Sequence, residues 1–149
     1  MSKKSILSSR SLMPTSALMA LDVGERRIGI ALANESVRIA VPFDTILVDG
    51  SEISQIREYV SSENVHRIIV GYPRNQSGEA TAQTSFVERF AKSLEPLGVP
   101  IDFQDESLTS VQAEERLKAQ QLPYEKSDID MVAASIFLQD YLEQGRGRV

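Results

Sequence analysis

The stretch Leu18-Met19-Ala20-Leu21-Asp22-Val23-Gly24-Glu25-Arg26-Arg27-Ile28-Gly29-Ile30-Ala31-Leu32 sets one acid inside a run otherwise composed for burial in a sheet. An ionised carboxylate left unpaired at a low-dielectric strand end is costly, so Asp22 either meets a cation, meets hydrogen-bond donors, or stays protonated. A divalent metal is the functional form of that answer; acceptance of backbone N–H groups near Gly24 is the structural form. On either side, Ala17 to Val23 and Arg27 to Ala33 are β-rich runs separated only by Gly24-Glu25-Arg26, a connection so short that it requires an antiparallel hairpin. Val37 to Phe43 follows another short turn and completes a three-strand meander.

The period then changes. Ile53, Ile56 and Val60 fall three and four apart on one helical face, with Ser51 or Asp49 placed to cap its start. His66 to Tyr72 contains Ile68-Ile69-Val70, a continuous apolar run that suits a strand buried on both faces. After a loop from Gly71 to Gly78, Phe86, Phe90, Leu94 and Leu97 form the stripe of a second helix that Gly98 ends. Val99 to Gln104 is a further strand, reached by a right-handed parallel crossover. Thr109-Ser110-Val111-Gln112 reads as a capping box opening a helix to about Gln120, with Val111, Leu117 and Ala113 inward. Ser127-Asp128-Ile129-Asp130 has the same form, and Ile129, Val132, Ala133, Ile136 and Phe137 supply the stripe of the last helix. This order predicts an α/β fold of the ribonuclease H kind: a mixed five-stranded sheet, meander plus parallel crossover strands, with helices on both faces.

The 149 residues suit one domain, which at that length buries roughly 70% of the surface its unfolded chain exposes. Residues 1 to 16, serine-rich and basic, read as a disordered tail, 17 to 143 as the folded domain and 144 to 149 as a second flexible tail. No apolar run is long enough for a membrane span, and the chain has no cysteine, which excludes disulfides and thiolate metal sites and fits a cytoplasmic location. The formal net charge of -5 argues against indiscriminate coating of nucleic acid, which relies on Lys and Arg. It does not argue against a nuclease, because metal held by acids restores positive charge where phosphate sits.

Three acidic groups stand at element ends: Asp22, the Asp105-Glu106 pair after the last strand, and Asp130 near the start of the final helix. Sites in open α/β sheets form beyond the carboxyl ends of parallel strands, where the first two point. Each has a blander reading. Asp105 and Glu106 suit a helix dipole as surface acids, and Asp130 suits the third position of its capping box. Convergence is what favours chemistry: oxygen donors without Cys or His select Mg²⁺ or Mn²⁺, and two such ions about 4 Å apart serve phosphodiester hydrolysis. Arg26 and Arg27 in the hairpin, and Arg74 and Asn75 in the loop after the central strand, are either phosphate and sugar contacts or solvated loop residues. His66, the sole histidine, has no second ligand nearby and no catalytic role.

Four segments together resemble the YqgF, or RuvX, family, whose members are described as Holliday junction resolvases or as nucleases in processing of the 5′ end of pre-16S rRNA. They are LDVGERRIGIAL at 21 to 32, IIVGYPRNQSGEATAQ at 68 to 83, DESLTS at 105 to 110 and SDIDMVAASIFLQDYL at 127 to 142. The resemblance implies an RNase H-like fold and a RuvC-like acidic site in which Asp22, Glu106 and Asp130 are both catalytic and metal-binding. It implies structured RNA as partner, with branched DNA as the alternative, acting as monomer or homodimer. The family usually carries Arg after the Asp-Glu pair, where this chain has Ser107. Two other classes compete. Asp22-x-Gly24 and its hairpin also look like the phosphate loop of the actin and sugar-kinase superfamily, which needs two lobes; and a catalytically silent RNA- or ribosome-binding module would keep the fold alone.

Overall fold

In a computed structural model, residues 16–73 and 81–145 are described. The expected tail over 1–15, the terminal residues 146–149, and Arg74 and Asn75 lie outside them. Five strands, β1 (Ala17–Val23), β2 (Arg27–Asn34), β3 (Ala40–Leu47), β4 (Val65–Tyr72) and β5 (Ile101–Asp105), form one sheet in the order β3-β2-β1-β4-β5. The β1–β2 and β2–β3 pairs are antiparallel, and β1–β4 and β4–β5 are parallel, so the expected meander and crossovers are both present. Among the described residues four α-helices accompany them, α1 (Glu52–Ser62), α2 (Ala82–Ser93), α3 (Thr109–Ala119) and α4 (Lys126–Gly145), and a 3-10 turn, Glu95–Leu97, follows α2, so that Gly98 ends this turn and not α2 itself.

The two faces of the sheet differ in side-chain size, and that difference arranges everything else. Side chains alternate across a strand. One face carries Met19, Leu21, Val23, Ile28, Ile30, Leu32, Ile68 and Val70, a thick layer that packs with Ile56 of α1 and Val87 and Ala91 of α2. The opposite face carries Leu18, Ala20, Ala31, Ala33 and Ile69, mostly small, against Ala134, Phe137, Leu138 and Leu142 of α4. Small residues let a helix axis approach the sheet closely, and α4 fills that space. It is covered in turn by α3, whose Ala113 packs with Val132, Ala133 and Ile136. Helix α4 is therefore buried on two sides, which is why residues Val132 to Leu138 form an unbroken buried run instead of a stripe.

Several element ends differ from expectation. The third strand starts at Ala40, not Val37, because Asn34 Oδ1 accepts from the backbone N–H of Ser36 at 2.8 Å and Val37 at 3.1 Å. With Arg38 left-handed (φ 61°), the turn consumes the residues up to Ile39, and Val37 and Ile39 remain exposed. The β5 strand begins at Ile101 because Pro100, which has no N–H to donate, only lends its carbonyl to Ile68.

Neither expected capping box forms. Thr109 turns its hydroxyl back to the Glu106 carbonyl at 2.8 Å, leaving Leu108 at the N-cap without a side-chain bond and with φ 65°, and Val111 faces outward. Helix α4 begins at Lys126, so the residue at its third position is Asp128, whose Oδ2 accepts from the Glu125 N–H at 2.9 Å. Helix α4 also continues to Gly145, two residues past the expected end of the folded region.

The size asymmetry makes a prediction that hydrophobicity alone would not. Ala31→Leu adds apolar surface yet should cost about 1–3 kcal/mol by overpacking α4, whereas Ile30→Val on the other face should cost about 0.5–1.5 kcal/mol. Urea unfolding followed by far-UV circular dichroism compares them; a neutral Ala31→Leu would contradict the close packing.

Candidate active site

Asp22 is the sixth residue of β1 and lies directly opposite Gly29 of β2 in the antiparallel register. On its other side, the parallel register that pairs Leu21 with Val70 brings Gly71 of β4 alongside. Asp22 thus stands on the small-residue face between two glycines, and each glycine admits a second acid. A Cβ on Gly71 would lie 2.5 Å from Glu106 Oε2 and 2.8 Å from the Phe137 ring, so only hydrogen at that position lets the Glu106 carboxyl cross β4 toward Asp22. A Cβ on Gly29 would lie 2.2 Å from the Asp130 carbonyl oxygen, so the second turn of α4 rests directly on the β2 backbone. Glu106 itself is anchored where β5 ends, its N–H donating to the Tyr72 carbonyl at 3.3 Å.

All three acids line a single cleft of about 780 Å³, together with Arg26, Arg27, Lys126, Gln83, Ser107, Ser110 and the apolar pair Leu108 and Val111. Asp22 and Glu106 are hydrogen bonded to each other. Burial pushes the Glu106 carboxyl up to about 9, and the charge of Asp22 and its hydrogen bond add to the rise. Asp22 is also raised, by burial first and by the negative charge of Asp130, although the bond from Glu106 opposes this. Two acids that close cannot both ionise without a cation, so in the metal-free protein they share one proton.

Asp130 reaches the cleft but is turned to a different partner. Its Oδ2 accepts from Arg27 Nε at 2.6 Å. Among the described residues, no three Asp, Glu or His side chains are gathered tightly enough to form a ready-made metal cage. The donor set nonetheless fits a hard divalent cation at Asp22 and Glu106: the oxygens are carboxylate, they are partly desolvated, and their shared proton marks the position where positive charge is wanted. Asp130 fits the same ion or a neighbour only once it leaves Arg27.

The remaining expectations sort cleanly. Arg26 and Arg27 both line the cleft, Arg27 as the ion-pair partner of Asp130. Asp105 stays outside, its Oδ1 accepting from the Ser107 N–H at 3.1 Å and hydroxyl at 2.7 Å. His66 pairs with Glu35 at 3.3 Å, with no link to the acids. Sequence reasoning passed over Lys126, Gly29 and Gly71. The signal for Gly29 was present in the alternation Ile28-Gly29-Ile30-Ala31-Leu32-Ala33, large and small residues in strict turn, which marks one face for close approach; Gly71, after Ile68-Ile69-Val70, has no such pattern around it.

The architecture is shared with solved proteins. Thermus thermophilus RuvC in complex with Holliday junction substrate superposes with a TM-score of 0.57 at 12% identity, covering 89% of this chain and 96% of that one. Fowlpox virus resolvase with its Holliday junction DNA gives 0.50 at 10% identity, covering 86% and 97%. These likenesses define the class as an RNase H-like fold of the RuvC kind. Sequence comparison is more particular: the family model "RuvX: Holliday junction resolvase" matches residues 16–144. Relatives carrying the name "Putative pre-16S rRNA nuclease" are 46% identical in Chloroflexus aurantiacus (87% of this chain, 88% of that protein) and 38% identical in Synechocystis (89% and 91%). The chain belongs to the RuvX family, a family of nucleases, which are hydrolases of ester bonds.

Two predictions follow from the geometry. Gly29→Ala should destabilise by about 3 kcal/mol or more, since a carbonyl oxygen 2.2 Å from the new Cβ can be relieved only by lifting α4 off the sheet; thermal unfolding measures it. The second concerns pH. The native state keeps the Glu106 proton up to about 9, while the unfolded chain loses it near 4.5, so native stability drains away as pH rises between those values and is unaffected below them. Glu106→Gln removes that drain. In chelator-treated buffer it should equal the parent near pH 4 and exceed it at pH 8 to 9 by on the order of a few kcal/mol; parallel pH–stability curves would contradict the shared proton.

Proposed function

We propose that this chain is a Mg²⁺- or Mn²⁺-dependent nuclease that hydrolyses phosphodiester bonds of structured RNA in the cytoplasm, in processing the 5′ end of pre-16S rRNA. The observation that carries the reading is the Asp22–Glu106 pair: two acids forced together on a sheet, both raised by burial, in a cleft that Asp130, Arg26, Arg27 and Lys126 also line. Asp22 and Glu106 are the residues that would hold the ion, with Asp130 as the third ligand. A divalent ion bound there supplies charge stabilisation of a phosphoryl oxygen and lowers the pKa of a bound water.

The protein's own part is positional. Glycines on both sides of Asp22 let Glu106, just past the end of β5, and Asp130, on α4, approach it from fixed backbone, so the acids are placed in advance of the reaction. Arg26 and Lys126 bring positive charge to the cleft's edge, offsetting an acidic chain where phosphate must approach. Arg74 and Asn75 come directly after Pro73, itself a cleft residue, and are proposed as further backbone contacts.

RNA is favoured over branched DNA by the closeness of the relatives: those at 38 to 46% identity bear the rRNA name, whereas the junction-bound neighbours share only 10 to 12%. The family description and the junction complexes support the second reading, a resolvase, which would need a two-fold dimer to make paired cuts.

The test incubates the purified full chain with precursor 16S rRNA and with a synthetic four-way DNA junction, each with Mg²⁺ or Mn²⁺. The expected result is metal-dependent RNA cleavage that Asp22→Asn lowers by about 10³-fold. Cleavage of the junction alone would select the resolvase. Cleavage unaffected by Asp22→Asn would mean a contaminating nuclease and a catalytically silent fold.

A further inference from the structure

The Arg27–Asp130 pair puts a guanidinium where the third carboxylate would otherwise face a cation. Arg27 opens β2, and Asp130 is held by the α4 turn that rests on Gly29, so both partners spring from rigid elements meeting at one point. Nε is the nitrogen engaged, at 2.6 Å; among the described residues the terminal guanidinium nitrogens have no ion-pair partner. The pair is also not deeply sealed, with Arg27 and Asp130 side chains 32% and 22% exposed in the cleft. A cation bridging Asp130 to the Asp22–Glu106 pair would be repelled by this guanidinium and denied the oxygen it holds. A phosphodiester, in contrast, is a strong competitor for an arginine fork.

We propose that Arg27 is a positioning residue that holds Asp130 in place of a cation in the free protein and passes to a substrate phosphate, releasing Asp130 to take a divalent ion. The inference rests on the nuclease reading of the same cleft. Its consequence is that phosphate and cation bind with positive coupling, each raising the affinity of the other by the same factor. It also means that the substrate-free protein is loaded at Asp22 and Glu106 before it is loaded at Asp130, which limits metal chemistry until a phosphate is present.

Calorimetric titration of Mn²⁺ into the full chain tests this, with and without a short RNA duplex made uncleavable by phosphorothioate linkages. Without RNA, Arg27→Met should bind Mn²⁺ at least about tenfold more tightly than the parent, because Asp130 is already free. RNA should strengthen Mn²⁺ binding about tenfold in the parent and less than about twofold in Arg27→Met. Asp130→Asn, which keeps Arg27 but removes the negative charge that pairs with it and that the cation would take, should likewise lose the RNA effect, and it supplies the answer should Arg27→Met fail to fold by circular dichroism. Equal Mn²⁺ affinity of parent and Arg27→Met without RNA, or an RNA effect that survives in Asp130→Asn, would overturn the proposal while leaving the nuclease reading intact. Mn²⁺ binding that Asp22→Asn does not weaken would overturn both.

Discussion

The absence of two Cβ atoms, at Gly29 and Gly71, is the constraint on which the cleft depends. Neither glycine has the positive φ that usually explains glycine in a fold; among the described glycines that conformation falls to Gly50 and Gly98. What these two provide is space on either side of Asp22. Through one gap the Glu106 carboxyl crosses the sheet, and into the other the backbone of α4 descends with Asp130. Large-to-small patterning along β1 and β2 extends the same device over the rest of the face, with Ala20, Ala31 and Ala33 keeping α4 low along its length.

Electrostatics follows from that packing. An acid on a sheet face beneath a helix is partly desolvated, and a second acid delivered against it makes the doubly charged state worse. The fold does not relieve this within the Asp22–Glu106 pair by a cationic side chain; it relieves it by retaining a proton. At Asp130 the opposite solution operates, and Arg27 supplies the charge. One cleft therefore offsets the charge of three acids in two ways, by a proton at the Asp22–Glu106 pair and by a guanidinium at Asp130, and under the proposed function both would give way to a metal ion. The cost to folding is accepted where function needs it, as expected for a site whose groups are set against their ordinary preferences.

Much of this was legible in the chain. The tight Gly24-Glu25-Arg26 connection forced the hairpin, the apolar run at Ile68-Ile69-Val70 marked the central strand, and the mixed sheet followed. The acids were visible as well, because Asp22 is anomalous in a buried strand and Glu106 ends another. The helix starts were not. Local patterns offered Thr109 and Ser127 as caps, yet tertiary geometry turned Thr109 back to Glu106 and gave the third position of α4 to Asp128. That shift matters for the site, since it removes the local structural duty that had seemed to occupy Asp130. The ion pair with Arg27 joins residues 103 apart and has no signature in local sequence.

The central claim is that Asp22 and Glu106 hold a single proton between them when no cation is bound. Carbon-13 NMR of the side-chain carboxyls, titrated in metal-free buffer, reads this directly. The account predicts that the Glu106 carboxyl titrates far above the usual carboxylate range, with a midpoint near about 9. A Glu106 midpoint close to the ordinary 4.5 would contradict it.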